Sequence, residues 1–150
     1  MISLIESPYR EDNCFFCGKN NPQGLKLDFY WDDERKEAFT EYLPERRFIG
    51  LGDILHGGIQ MGLLDELMGW TSFAASGKMA VTADFNVNFL CPVYIQGKII
   101  RLVCRVVSLE GMRMSMEASL TNAEGCVCTK ASGTFRLLPE QKFKSLIRAK

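Results

Sequence analysis

Leu55-His56-Gly57-Gly58-Ile59-Gln60-Met61-Gly62-Leu63-Leu64-Asp65-Glu66-Leu67-Met68-Gly69-Trp70-Thr71-Ser72-Phe73-Ala74-Ala75-Ser76 is the stretch that decides the fold. Its pattern is helical from Gly57 to Ser76. The apolar residues Ile59, Met61, Leu63, Leu64, Leu67, Met68, Trp70 and Phe73 cover most of the circumference. A helix that is apolar on nearly every side has to be enclosed by the rest of its chain. Gln60, Asp65 and Glu66 near its middle make it too polar for a membrane span.

On either side the sequence reads as strands. Before the helix, Leu25, Leu27, Phe29 and Trp31 alternate with Lys26, Asp28 and Tyr30, as in a half-buried strand. A polar turn at Asp32–Arg35 leads to a second strand over Glu37–Leu43, then a Pro- and Gly-punctuated loop from Pro44 to Leu55. After the helix, Val81, Ala83, Phe85, Val87 and Phe89 alternate with Thr82, Asp84, Asn86 and Asn88. A β-branched run over Lys98–Leu109 follows, and then an alternating strand through Met112, Met114, Met116, Ala118 and Leu120. Asn122–Gly125 forms a hairpin turn, Val127–Leu137 the last strand, and Pro139–Ala149 a short helix. Short connections imply antiparallel neighbours. The expected class is α+β: one long central helix wrapped by a curled antiparallel sheet of about five to six strands. Residues 1–24 read as an N-terminal extension packed on a single domain, 25–150.

Bulk composition narrows the function. The 150 residues carry 18 Lys plus Arg against 18 Asp plus Glu, so no general basic surface for nucleic acid is expected. The N-terminus lacks the long apolar core of a signal peptide, and six cysteines in such a chain read as reduced, mostly buried thiols. The expectation is a cytoplasmic, soluble domain.

Between Asp53 and Lys78 the only charged side chains are Asp65 and Glu66. Acidic residues are rarely buried without a partner. Successive helical residues point about 100° apart, so Glu66 shares a side with Ile59, Leu63, Trp70 and Phe73. Asp65 shares one with Gly58, Gly62, Gly69 and Ser72, a stripe of small residues that a backbone or ligand can approach closely. At the helix start, Gly57 and Gly58 either offer unsatisfied N–H groups that can polarise a carbonyl oxygen or form a plain tight turn into the helix. His56, the only histidine, is either a proton-transfer group or a side chain satisfying loop backbone. Gly57 and Asp65 are eight residues apart, about 12 Å along the axis, whereas a reacting carbonyl must sit about 3 Å from both its oxyanion donor and its base. If both act, two antiparallel copies of the helix must share the site, and a homo-oligomer is required.

These residues resemble a known family. The run His56-Gly-Gly-Ile-Gln-Met-Gly-Leu-Leu-Asp65-Glu-Leu-Met-Gly-Trp70 is similar to the helix motif of the PaaI-like acyl-CoA thioesterases of the hotdog-fold superfamily. Thr82-Ala-Asp-Phe-Asn86 through Pro92 resembles the strand after that helix, and Cys14-Phe-Phe-Cys17-Gly through Gly24-Leu25 an N-terminal element of some members. The resemblance implies hydrolysis of an acyl-CoA thioester at sites shared between subunits of a dimer or tetramer. Asp65 would be nucleophile or general base, and Gly57 would donate its N–H to the thioester carbonyl. Thr82 would position the attacking water, with His56 at the helix start. Some members carry Asn where this chain has Gly50. With Gly50, the residues Gly58, Glu66, Asp84, Asn86 and Arg113 make up the expected substrate-contacting set, Arg113 being the first candidate for the CoA phosphates. Lys98, Arg101, Arg105, Lys130 and Arg136 are alternatives. Coenzyme A is part of the substrate, and no separate cofactor is implied.

Three other readings bear on these residues. A non-catalytic acyl-CoA-binding hotdog protein would use the same fold. A hotdog hydratase would want a paired Asp and His, which the helix-start position of His56 disfavours. Cys14-x-x-Cys17 with Cys126-x-Cys128 has an unusual second spacing and no nearby histidine. It reads as a turn plus buried thiols rather than as a zinc site.

Overall fold

A computed structural model describes residues 1–9 and 13–148. The element order is β1 (Ile2–Leu4), β2 (Tyr30–Asp32), β3 (Glu37–Tyr42), a 3-10 turn (Arg46–Phe48), α1 (Gly57–Ser76), β4 (Ala80–Phe89), β5 (Ile100–Glu110), β6 (Arg113–Thr121), β7 (Val127–Leu137) and α2 (Glu140–Arg148). The expected end of the last helix, Ala149, lies outside the described residues. The strands form one seven-stranded sheet in the order β1-β2-β3-β5-β6-β7-β4, with every neighbouring pair antiparallel. The fold is the expected α+β hotdog arrangement. Its seventh strand, β1, comes from the segment read as an extension and pairs with β2.

Helix α1 packs on β3, β4, β5, β6 and β7. Leu63, Leu64, Leu67 and Met68 are wholly buried there, each stabilising the fold by about 1.5–3 kcal/mol. Met114 and Met116 face them from β6 as core residues, while Met112 lies outside the core. The helix ends where Gly77 adopts the left-handed conformation, φ 75°, and its N–H closes on the Phe73 carbonyl at 2.8 Å. The enclosure is incomplete, however. Gly58 is exposed and Met61 is 38% exposed, so one stripe of α1 beside β4 faces outward.

Two expectations are corrected here. The Leu25–Trp31 alternation is real in burial, since Leu27 and Phe29 are core residues, but the sheet ladder begins only at Tyr30. Lys26 sits at φ 54°, and the N–H groups of Leu25 and Leu27 bond the carbonyls of Phe15 and Phe16 at 2.9 and 3.0 Å. An alternating segment found a loop rather than a strand as its partner. No disulfide joins the six cysteines, yet only Cys17, Cys104 and Cys128 are buried, with Cys91 and Cys126 exposed on turns.

The strand after the helix carries a bulge between Thr82 and Asp84. Unbroken alternation would put Thr82 on the face of Asp84 and Asn86. Instead Thr82 stands opposite the buried Phe135, and Phe85 opposite Gly133, so both point toward α1. One extra residue, Ala83, absorbs the change of phase.

Candidate active site

The first turn of α1 is organised by His56. Its Nδ1 accepts from Gly58 N–H at 2.9 Å, and its carbonyl accepts from Ile59 and Gln60 N–H at 3.0 and 3.1 Å. Of the four N–H groups at positions 57–60, only that of Gly57 has no partner among the described residues. An orphan donor at a helix N-terminus is held by nothing except what binds there. The Nδ1 of His56 is thus engaged with backbone. Gly50 packs on it: a Cβ at position 50 would stand 3.2 Å from His56 Cα. Gly57 is equally confined, since a Cβ there would be 3.2 Å from the Phe89 ring.

One turn deeper, Gln60 is buried, donating to the Leu55 carbonyl at 2.9 Å and accepting from Thr129 at 2.6 Å. Sequence reasoning passed over this pair. The signal available was an amide inside an apolar run, which has to find partners.

Asp65 is partly buried on the side of α1 facing β4, and Thr82 Oγ1 donates to its Oδ1 at 2.6 Å. A charge-assisted bond of that length is a strong one. Asp65 Oδ2 has no protein donor among the described residues. The pair opens on a cavity of about 300 Å³ whose walls include Cys14, Cys17, Glu66, Trp70 and Phe135.

Glu66 points elsewhere. Its Oε1 accepts from the Trp70 indole at 3.2 Å and lies 3.4 Å from Cys14 Sγ. Burial, followed by the neighbouring Cys14 thiol, pushes its carboxyl from the ordinary 4.5 up to about 8. Hydrogen bonding from Cys17 holds Cys14 down to about 5, and Cys17, which supplies that bond, is pushed up.

The remaining expected residues divide. Gly57, Gly58 and Gly50 gather with His56 at the helix start, and Thr82 joins Asp65. Asp84 and Asn86 do not join them. They are exposed, stand opposite Thr134 and Ser132, and bond each other at 3.1 Å on the outer face of the sheet. The bulge that turned Thr82 inward turned Asp84 outward. Arg113 is exposed on that outer face, directly opposite Arg136, which in turn stands opposite Val81. Lys98, Arg101 and Arg105 are engaged with Glu124, Glu41 and Glu37. A larger groove of about 440 Å³, lined by Asn88, Arg105, Glu117 and Lys130 among others, lies on the outer face away from Asp65.

Comparison with known proteins adds to this geometry. The sequence pattern described as Thioesterase superfamily matches residues 52–129, just over half of the chain. A protein of Saccharolobus solfataricus named as a candidate esterase is 30% identical over 111 residues, covering 70% of this chain and 74% of that one. Among solved structures, the thioesterase superfamily protein RHA08564 superposes with a TM-score of 0.72 at 21% identity, over 84% of this chain. The match spans 63% of that protein's length. The protein smu.793 of Streptococcus mutans, solved with acetyl-CoA bound, gives a TM-score of 0.64 at 20% identity over 69% of this chain and 82% of that one. The E. coli PaaI protein, from the phenylacetic acid degradation operon, gives 0.65 at 15% identity, over 69% of this chain and 74% of that one. At these identities the structural likeness shows the fold alone.

Proposed function

The chain belongs to the thioesterase superfamily, and from that premise we propose that it hydrolyses an acyl-CoA, or a related acyl thioester, to free acid and thiol. The observation that carries the reading is the Thr82–Asp65 hydrogen bond of 2.6 Å at the wall of a cavity. Thr82 fixes Oδ1 and leaves Oδ2 to act. As general base, Oδ2 takes a proton from water while the hydroxide adds to the acyl carbon. As nucleophile, it attacks that carbon itself, and water then releases the acid. In either course the C–S bond breaks and the proton ends on the departing thiolate. The family of solved relatives includes one that holds acetyl-CoA, which supports coenzyme A as the thiol. The reaction asks for no separate cofactor.

The carbonyl oxygen needs a donor, and the unpartnered N–H of Gly57 is the one available. It sits eight residues from Asp65, about 12 Å along the helix, so the donor comes from a second copy. The surface suits one. Strand β4 is a ten-residue sheet edge with Val81 45% and Phe89 51% exposed, followed by Leu90 at 56%, beside the exposed Met61 of α1. Such an edge is ready to pair, and antiparallel β4–β4 pairing sets two copies of α1 side by side. Arg113 and Arg136, two adjacent cations with no ion-pair partner among the described residues, form the proposed phosphate contact near this edge. Among the described residues no helix is long and apolar enough to cross a membrane. Six cysteines with no disulfide among them suit a reducing compartment such as the cytoplasm.

The test is a panel of acyl-CoAs of varied length and aromaticity, monitored by thiol release, with light scattering for oligomeric state. Turnover by an oligomer, lost in Asp65→Asn, is the expected result. Tight acyl-CoA binding with no turnover would replace this reading with that of a binding protein. A strictly monomeric active species would remove the shared site.

A further inference from the structure

We propose that Cys14, Cys17 and Glu66 form a site for a divalent cation of the zinc class, which fastens the N-terminal segment to α1. One sulfur from each cysteine and one carboxylate oxygen lie within 4.8 Å of one another. Zinc bonds to sulfur and oxygen are about 2.3 and 2.0–2.2 Å, so three corners of a tetrahedron require only a small contraction of this group. In sequence, Cys14 and Cys17 pair with Cys126 and Cys128 only through an unusual second spacing, with no histidine nearby. The fold supplies a different third donor, from the core helix. Cys128 is directed instead at the Cys126 carbonyl, 3.6 Å away.

The donors are held in place by the protein itself. Cys14 and Cys17 belong to a turn in which Gly18 N–H bonds the Cys14 carbonyl at 2.9 Å and Cys17 N–H points at Cys14 Sγ at 3.5 Å. The turn is docked on α1 by Phe16, whose ring occupies the space that a side chain at Gly62 would fill. Trp70, one helical turn beyond Glu66, orients the carboxylate through its indole N–H at 3.2 Å. Outer contacts of that kind orient metal ligands. Glu66 is a carboxylate on a core helix whose partners among the described residues, two thiols and an indole, are not cations. Buried acids are rarely left in that condition.

The donor set selects the metal. Two thiolates and one carboxylate favour zinc over magnesium or calcium, which take oxygen ligands. Three protein ligands leave a fourth position, and all three line the cavity of about 300 Å³ onto which Asp65 also opens. Water fills that position. The role is to clamp, and the thioester chemistry proposed above stays with Asp65.

The experiment uses the whole reduced protein, stripped by chelation and titrated with Co²⁺ as a spectroscopic probe. Uptake of one equivalent per chain, with a near-ultraviolet thiolate-to-cobalt band and visible bands of tetrahedral intensity, both displaced by Zn²⁺, is expected. Cys14→Ser/Cys17→Ser loses the thiolate band, Glu66→Gln weakens binding at least about tenfold, and Cys126→Ser/Cys128→Ser keeps both. Circular dichroism establishes that each variant is folded. Absence of the band in folded wild-type protein at saturating Co²⁺ overturns the proposal, as does its persistence in Cys14→Ser/Cys17→Ser. So does ready formation of a Cys14–Cys17 disulfide in air with no metal uptake by the reduced form, which would mark the pair as redox-active instead.

Discussion

Asp65 and Glu66 are adjacent in the chain and carry the same functional group, yet they inhabit two different regions. Asp65 faces the β4 edge, partly open, with one oxygen held by a threonine and the other without a protein donor among the described residues. Glu66 faces the N-terminal segment, enclosed by Cys14 and Trp70, with its carboxyl pushed up to about 8. A rotation of about 100° between neighbouring helical residues is enough to separate a carboxylate available for chemistry from one committed to holding another segment. On the readings proposed above, the same helix serves catalysis on one stripe and fastens the N-terminal segment on the next.

The sharpest way to break this contrast is Asp65→Asn, expected to lower turnover by at least about 100-fold while leaving the circular dichroism and the oligomer unchanged. Steady-state kinetics beside Glu66→Gln reads the contrast directly: a larger loss at position 66 than at 65 would reverse the assignment. Thr82→Val removes one charge-assisted hydrogen bond, worth about 1.5–3 kcal/mol, and is expected to lower kcat about tenfold or somewhat more with little change in KM. A change confined to KM would show that Thr82 binds substrate rather than orienting Asp65.

Smaller effects sharpen the comparison at its two margins. His56→Ala is expected to cost about 1 kcal/mol through loss of the helix cap, read from chemical denaturation, while His56→Asn recovers most of that stability and keeps turnover. Turnover lost in both variants would restore a proton-transfer role for His56. The last effect is one of pH. In the metal-free, reduced protein, the fold raises Glu66 from 4.5 to about 8 and lowers Cys14 from 9.0 to about 5. Glu66 keeps a proton that the unfolded chain releases, so its own contribution falls as pH rises from about 4.5 to 8. Cys14 gives up a proton that the unfolded chain keeps, so its contribution grows as pH rises through about 5 toward 9. Where the windows overlap the two oppose. Wild-type Tm is therefore expected to vary little there, whereas Cys14→Ser exposes the decline due to Glu66. Thermal melts across pH check this, and a flat Tm in Cys14→Ser would place Glu66 in a more polar setting.

Much of this was legible in the residues. The apolar wrap of Gly57–Ser76 fixed a core helix, and the short turns after it fixed an antiparallel sheet. Two charges in an apolar run marked where chemistry had to be sought. The Leu25–Phe29 alternation was misleading because alternation reports burial, and a loop can provide burial as well as a strand can. The third partner of the Cys14–Cys17 turn was invisible because it lies 49 residues away from Cys17 on another element.

Local pattern alone determined the fold class, the central helix and the two acids on it, because periodicity and the cost of burying charge are properties of the chain itself. Tertiary structure decided which way Thr82 points, that Asp84 and Asn86 leave the site, and that Glu66 meets two cysteines. One bulged residue reverses which face a strand presents, and contacts between distant segments exist only once the chain has closed on itself.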